Sequence, residues 1–484
     1  MAKRKISTFE RLQQGSRLDR RERRELQRRL SSSDPGLQVV HSDAAGIDVG
    51  NASHFVSVPS GRDEHPVQEF GSWTADSERL TAWLVSRGIR TVAMQSTGVY
   101  WVALYEILEQ AGLEVYLVNA RGTKNLPGRK SDVQECQWLM KLHTYGLLRN
   151  SFRPPKQIRS IRTIWRLRER IVADAGRTVQ QMQKALTTMN IQLANAISDI
   201  SGVTGMAIVR AIVQGQRDPQ ELAKLRNWRI QASHEEIVHS LNGNWRPDVV
   251  WELARVLESY DFCQKQIEAC DWELQKCLAV LPDRMAGGQT GGSTEACQAK
   301  RGRSTKPRKN QPRFDLRTEL RRILGVDLTR IDGIDVIIAQ VILSELGPDL
   351  SAFPNEAAFA SWLELVPRRD ITGGKVVRQR ARESKNRVAN ALRMAAESLL
   401  RSNSYLGARY RQLRARMEGQ AAVKAMAHYL ARLVYRLMTK GQEYIDRGAA
   451  HFEHKRQQRE IANLTRKAAK LGMVVIPREN ACTH

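Results

Sequence analysis

Two stretches of this 484-residue chain repeat apolar residues at alternating steps of three and four, a period that only long, packed helices satisfy. In residues 158–195 the repeat runs through Ile161, Trp165, Val172, Ala175, Val179, Met182, Leu186, Met189 and Leu193, with Arg168 the one polar interruption. In residues 249–281 Leu253, Tyr260, Ile267, Leu274 and Leu281 hold one heptad position, and Val256, Cys263, Cys270 and Cys277 hold the other. Both runs predict coiled-coil seams that keep two chains, or two halves of one chain, at a fixed distance. Three Cys at seven-residue intervals fit a buried seam better than a metal site. Thiolate ligands come two to four residues apart, and no His pairs stand nearby.

The segment ahead of these helices has a different period. Ala44-Ala45-Gly46-Ile47-Asp48-Val49-Gly50 and His54-Phe55-Val56-Ser57-Val58 read as a strand hairpin, and Thr91–Met94 and Glu114–Val118 as further strands. Glu78–Ser86, Tyr100–Ala111 and Asp132–Leu142 read as helices, with Gly128 a break before the last. Alternating strands and helices imply an α/β sheet domain. The expected organisation is a basic N-terminal arm (1–40), an α/β domain (41–150), a coiled-coil helical region (151–282), a basic linker (283–315) and an all-α C-terminal domain (316–480). Within the arm, Arg17–Leu30 reads as helical and Ser31–Gly36 as a break. In the last domain Leu328–Asp335 before a helix at Val336–Leu346 resembles a helix-hairpin-helix, whose Gly333 turn would offer backbone N–H groups to a phosphate. A plain packing turn is the other reading.

The formal net charge of +26 requires a polyanionic partner, nucleic acid or an anionic membrane surface. The seams are not broad aromatic-rich faces, so the membrane is the weaker option, and no apolar run is long enough to span one. The N-terminus shows no apolar signal core, and six Cys are sparse, which together point to a reducing cytoplasm. The charge is uneven. Residues 1–31 hold 11 basic and four acidic side chains, and 283–313 hold eight and two, whereas 41–150 hold 10 basic and 12 acidic. A near-neutral segment in so basic a chain suits a site that gathers carboxylates; an ordinary globular domain suits it too.

Asp48 ends the first strand, and Asp132 and Glu135 lie three apart at the start of a helix, so both project from one face. Converging carboxylates are what Mg²⁺ ions need to clamp a phosphoryl displacement. Each acid alone also suits the surface or a helix N-terminus.

At this point three segments resemble one family. They are Gly46-Ile47-Asp48-Val49-Gly50, Met94-Gln95-Ser96-Thr97-Gly98-Val99-Tyr100-Trp101 and Gly128-Arg129-Lys130-Ser131-Asp132-Val133-Gln134-Glu135-Cys136. The C-terminal half adds Phe359-Ala360-Ser361-Trp362-Leu363, Val366-Pro367, Ile371-Thr372-Gly373-Gly374-Lys375-Val376, Asn386-Arg387 and Ala391–Ala396. Together, over roughly residues 44–475, they are similar to the DEDD insertion-sequence transposases, the "IS one-ten" family, which includes relatives of the pilin-gene invertase. The resemblance implies a RuvC-like, RNase H-type first domain with an acidic Mg²⁺ site, and a C-terminal domain with a serine that bonds covalently to DNA. It also implies a structured non-coding bridge RNA that pairs with donor and target double-stranded DNA, and a homodimer that assembles into a homotetramer.

Onto that pattern Asp48 and Asp132 carry over directly. The second acid falls on Gln95, which keeps an oxygen and loses a charge, and the fourth on Glu135. Glu106, one helix later, is a possible substitute for the second. The nucleophile position falls on Thr372, with Ser384 and Ser361 as rivals and a structural capping role as the alternative. Arg159, Arg162, Arg166 and Arg170 on the first long helix, Gly333, Lys375, Arg387 and Arg393 are expected to contact RNA or DNA. A resolvase-type nuclease using activated water and a binding-only relative are the competing functions. No Walker-type phosphate loop is present, as suits strand exchange without ATP.

Overall fold

A computed structural model describes residues 25, 28–30, 36–96, 98–118, 131–285, 310–372, 375–380, 384–441 and 448–475, with backbone alone at 368–372, 375, 376, 378–380 and 449. Most of the basic arm, the Gly128 break, most of the linker and the Gly373-Gly374 pair lie outside these residues. The chain forms two compact units, Met1–Arg153 and Pro154–His484. No helix among the described residues is long and apolar enough to cross a membrane.

The first unit holds β1 (Ala44–Val49), β2 (Ser53–Ser57), β3 (Val67–Gly71), α1 (Thr74–Ser86), β4 (Thr91–Gln95), α2 (Trp101–Gln110), β5 (Glu114–Val118) and α3 (Asp132–Thr144). The strand order is β3-β2-β1-β4-β5. The first three strands pair antiparallel, and β4 and β5 run parallel to β1. A mixed five-stranded sheet of this kind fits a RuvC-like, RNase H-type domain. Side chains alternate across the sheet. Ala45, Ile47, Val49, Val92 and Met94 turn to one face and form a core with Leu80 and Leu84 of α1 and Leu104 and Leu108 of α2. Gly46, Asp48, Ala93 and Gln95 turn to the other face, which α3 covers.

Gly46 sets how closely α3 lies on that face. A Cβ there would sit 2.2 Å from the Cys136 carbonyl oxygen and 2.3 Å from the Met140 nitrogen, both backbone atoms that cannot turn aside. Gly46→Ala is therefore expected to push α3 off β1 at a cost of about 3 kcal/mol. A melting curve checks it; an unchanged midpoint would contradict the packing described. The far end of α3 is pinned by His143, whose ring lies 2.8 Å from the Thr91 hydroxyl and stacks on His41. Burial, and then the charge of His41, holds His143 down at a pKa of about 3, so it packs as a neutral ring. The end of the arm docks on the same helix, with Leu30 buried against Trp138 and Leu142.

The second unit is helical apart from one hairpin. Its order is α4 (Lys156–Thr188), α5 (Leu193–Ala196), α6 (Val203–Val213), α7 (Pro219–Ala223), α8 (His234–Ser240), α9 (Pro247–Ala279), α10 (Leu316–Leu324), α11 (Val336–Leu346), α12 (Glu356–Trp362), β6 (Arg368–Thr372), β7 (Lys375–Arg380), α13 (Arg387–Ser398), α14 (Tyr405–Arg416), α15 (Gly419–Lys440) and α16 (Gly448–Lys470). The two heptad runs became α4 and α9, each 33 residues long, packed along one another within one chain. Arg168 meets Asp271 while Met182 and Leu186 share a cluster with Leu253 and Leu257, so the pair is antiparallel. Leu257 and Leu278 also fill the buried face, and α4 stops at Thr188, short of Leu193.

One expectation needs correction. The C-terminal segment is not all-α, because β6 and β7 pair antiparallel, with Thr372 opposite Lys375. The two long helices differ in charge. α4 holds eight basic and two acidic residues, but α9 holds three and seven.

Candidate active site

The first unit brings Asp48, Gln95, Asp132 and Glu135 to one end of the sheet. Asp48 is next to last in β1 and Gln95 ends the neighbouring parallel strand, so the two lie side by side. Across from them Ser131 caps α3, its hydroxyl accepting from the Gln134 N–H at 3.4 Å. That start places Asp132 and Glu135 in the first turn of α3, where the helix dipole favours anions. Gln95 is 3 % exposed and its Nε2 donates to Glu135 Oε1. The residue in the second acidic position is thus a buried amide that orients the fourth.

Asp48 feels the crowding. Burial, then the charges of Glu135 and Asp132, push its carboxyl up to about 6, against a hydrogen bond from the Val49 backbone. Among the described residues no cation offsets those charges at Asp48. Asp48 and Glu135 are half-buried and Asp132 is exposed, and carboxylate oxygens whose charge no described cation offsets suit a hard divalent cation. Cys136 sits beside them, but burial pushes its thiol up to about 12, and its Sγ donates to the Val133 carbonyl at 3.1 Å. Among the described residues no three His, Cys, Asp or Glu side chains stand close enough together to hold a metal ion. Asp48, Asp132 and Glu135 influence one another without closing into a cage. Glu106 is engaged elsewhere, with Arg153 at 3.3 Å, whose guanidinium lies 3.8 Å from the Tyr105 ring centre.

The raised Asp48 pKa carries a stability consequence. The folded state holds this proton up to about pH 6, whereas an unfolded Asp releases it near 3.8. The stabilisation is full below the lower value and lost as pH rises through about 6. Asp48→Asn is therefore expected to raise the stability of the metal-free protein at pH 7.5 by about 1–2 kcal/mol, after solvent screening of a half-buried group. The gain should shrink toward pH 5. Thermal melting in chelator at the two pH values reads it, and a destabilised D48N at pH 7.5 would contradict it.

A family model described as a transposase, of the DEDD IS110 type, matches residues 45–191 and so spans all four of these positions. A second, described as the transposase IS116/IS110/IS902 family, matches residues 327–411. The chain belongs to the IS110 family of DEDD transposases. It is an enzyme that acts on DNA. No curated protein matches the chain.

The C-terminal match in this IS110 transposase spans Lys375 and the nucleophile candidates Thr372, Ser384 and Ser361. Thr372 is the last residue of β6. For Thr372 and Lys375 the backbone alone is described. Ser384 is occupied locally. Its Oγ donates to the Leu363 carbonyl at 3.2 Å and accepts from the Asn386 N–H at 3.2 Å, at the start of α13. Ser361 is exposed on α12.

Several arginines expected to face nucleic acid are taken up inside the second unit. Arg166 grips Glu345 with two bonds of 2.8 and 2.7 Å, and Arg162 donates to the Ser344 and Glu345 carbonyls that end α11. Arg387 pairs with Glu169, and Arg393 donates to Asn390. Arg162 and Arg166 hold α4 to α11, and Arg387 holds α13 to α4, whereas the Arg393 bond lies within α13; a phosphate would have to displace those bonds. Arg159 is half-buried and Arg170 exposed. Gly333, at φ +87°, turns its Cα hydrogen onto α13, where a Cβ would meet the Ala395 carbonyl at 2.6 Å. That is the packing reading of the turn. The sequence did not single out Gly46 as the residue that seats α3, although its place two residues before Asp48 puts it on the same face.

Proposed function

We propose that this transposase cleaves and rejoins donor and target DNA, guided by a structured bridge RNA of its own element, through divalent-metal-dependent phosphoryl transfer and a threonyl-DNA intermediate. The observation that supports it is the gathering of Asp48, Asp132 and Glu135, their charge not offset by a cation among the described residues, at one end of an RNase H-like sheet. As they stand the three carboxylates do not close on one ion; drawn together around a bound strand they would hold Mg²⁺, with Gln95 orienting Glu135. When bound, such ions offset the charge that builds on the phosphoryl oxygens and on the leaving oxygen. The net charge of +26 over the whole chain offsets the repulsion an acidic site would otherwise present to a DNA backbone.

Thr372 takes the role of nucleophile. Its hydroxyl bonds to the scissile phosphorus as the deoxyribose oxygen departs, and an incoming DNA hydroxyl later displaces it. One phosphodiester replaces another at each step, so no nucleotide need be hydrolysed. The resemblance supports assembly as a homodimer that pairs into a tetramer.

The test is a protein–DNA adduct that survives denaturation. Fluorescent DNA carrying the ends of the element, incubated with Mg²⁺ and the protein together with the RNA that co-purifies with it, is expected to yield it. Thr372→Ala should abolish the adduct, while S384A and S361A should retain it. An adduct undiminished in T372A would reassign the nucleophile, and rejoining with no adduct would replace the covalent step by water attack. Sequencing of co-purified RNA tests the guide: one discrete species matching DNA beside the gene is expected, and random cellular RNA would remove it.

A further inference from the structure

At the end of the long hairpin away from Arg168, the segment between α4 and α9 folds back to form an open cleft of about 650 Å³. Gln192 and Asn195 line it from the chain around α5. Gln231 and Ala232 line it from the approach to α8, and Glu236 and His239 from α8 itself. The walls are tied together. The Gln192 N–H donates to the Ser240 carbonyl at 2.8 Å and the Asn244 N–H to the Met189 carbonyl at 2.8 Å. Gly243 lies so close that a Cβ would meet the Met189 carbonyl at 2.3 Å. Glu236 is committed to its own helix, accepting from the Ser233 N–H at 2.6 Å in a capping box. No Lys or Arg lines the cleft among the described residues. What remains is a preformed surface on which the carboxamides of Gln192, Asn195 and Gln231 stand with His239, Ser240 and two alanines, the Gln192 Nε2 donating to Asn190 Oδ1 at 3.3 Å on the exposed side.

The chain enters the cleft from a turn whose tip is Trp228-Arg229, closed by the Ile230 N–H on the Asn227 carbonyl at 3.0 Å. Trp228 is 80 % exposed, and the Arg229 guanidinium lies 4.9 Å from its ring centre. So large an aromatic left in water, with a cation over one face, is an unfilled stacking platform.

We propose that this cleft and its Trp228 turn bind an unpaired nucleobase of a single-stranded nucleic acid. The inference rests on reading the protein as an enzyme that handles unpaired strands. A carboxamide presents a donor and an acceptor side by side, the pattern of a base edge, so Gln192, Asn195 and Gln231 read the base. A phosphate site would need cations in the cleft, and the cation here stands outside it, on Arg229, where a backbone would pass. Trp228 stacks on the neighbouring base, whatever its identity. Paired bases in a duplex cannot enter, so the site selects unpaired strands.

The test uses the full chain and fluorescent 12-mers of single-stranded RNA and DNA in each of the four homopolymers, with duplex DNA as control, read by anisotropy. The unaltered protein is expected to bind single strands with a base preference. Asn195→Ala with Gln231→Ala should weaken the preferred homopolymer about 5–10-fold and level the preference. Trp228→Ala should weaken all single strands about 5–100-fold, with W228F restoring most of it. Duplex binding should change less than about twofold in every variant. The RNA and DNA arms decide which strand the site takes. A 4-thiouridine RNA 12-mer is expected to crosslink to the peptide containing Trp228. All these side chains lie at the surface of the cleft or its turn, so melting midpoints should not move. Unchanged single-strand binding in the variants overturns the cleft alone, as does a loss confined to duplex. Failure of the unaltered protein to bind any single strand overturns the cleft together with the RNA-guided reading.

Discussion

Asp132→Ala is expected to cut DNA strand cleavage at least a thousandfold while leaving the protein folded. A thousandfold corresponds to about 4 kcal/mol of barrier, the scale expected when a phosphoryl-transfer site loses a carboxylate that holds its cation. The fold should tolerate the change because Asp132 is exposed at the first position of α3. It gives up at most about 1 kcal/mol of favourable interaction with the helix dipole. Some of that returns, since Asp132 is one of the two charges that raise the Asp48 pKa. The measurement is cleavage of fluorescent element-end DNA in Mg²⁺, beside a melting curve in chelator. Loss of cleavage with an unmoved melting midpoint places the effect in the site. Cleavage within tenfold of the unaltered protein would show that the carboxylates at this end of the sheet do not serve the reaction.

What the sequence showed of this unit depended on how each residue meets water. β1, β4 and β5 were legible as short apolar runs because both their faces are covered. β3 was missed, since Gln68 and Glu69 interrupt Val67 and Phe70 on an edge strand with one open side. The β6–β7 hairpin went unread although β-branched residues flank Gly373-Gly374, a hairpin signal the surrounding helices masked. The placement of Asp48, Asp132 and Glu135 was legible from position alone, because a strand end and a first helical turn are local features. The bond from Gln95 to Glu135 was not, as it joins residues 40 apart through the stacking of α3 on the sheet. The partners of Arg162 and Arg166 were hidden for the same reason. Arg162 and Arg166 look like a solvated basic stripe until Glu345, 179 residues beyond Arg166, arrives from α11.

Arg168, the one polar residue in the first heptad run, leads to the second large effect. Arg168→Met is expected to destabilise the second unit by about 3–5 kcal/mol, and the double variant R168M/D271L to recover most of the loss. Arg168 and Asp271 are both buried, and the guanidinium Nε and Nη2 reach the two carboxylate oxygens. Removing Arg168 leaves the Asp271 carboxyl unpaired and cut off from water between α4 and α9, and that cost exceeds the loss of any ordinary contact. Removing both charges replaces the pair with the apolar packing of the neighbouring positions. Recovery should fall short by about 1 kcal/mol, because Arg168 Nη1 also donates to the Asn310 carbonyl at 3.0 Å. Thermal melting should show R168M lowered by roughly 6–15 °C and the double variant within a few degrees of the unaltered protein. If the two substitutions are instead additive, Arg168 and Asp271 are not coupled, and the ion pair does not set the register of the hairpin. A coupled pair fixes which turn of α4 faces which turn of α9, a choice that a seam of interchangeable Leu, Ile and Cys leaves open.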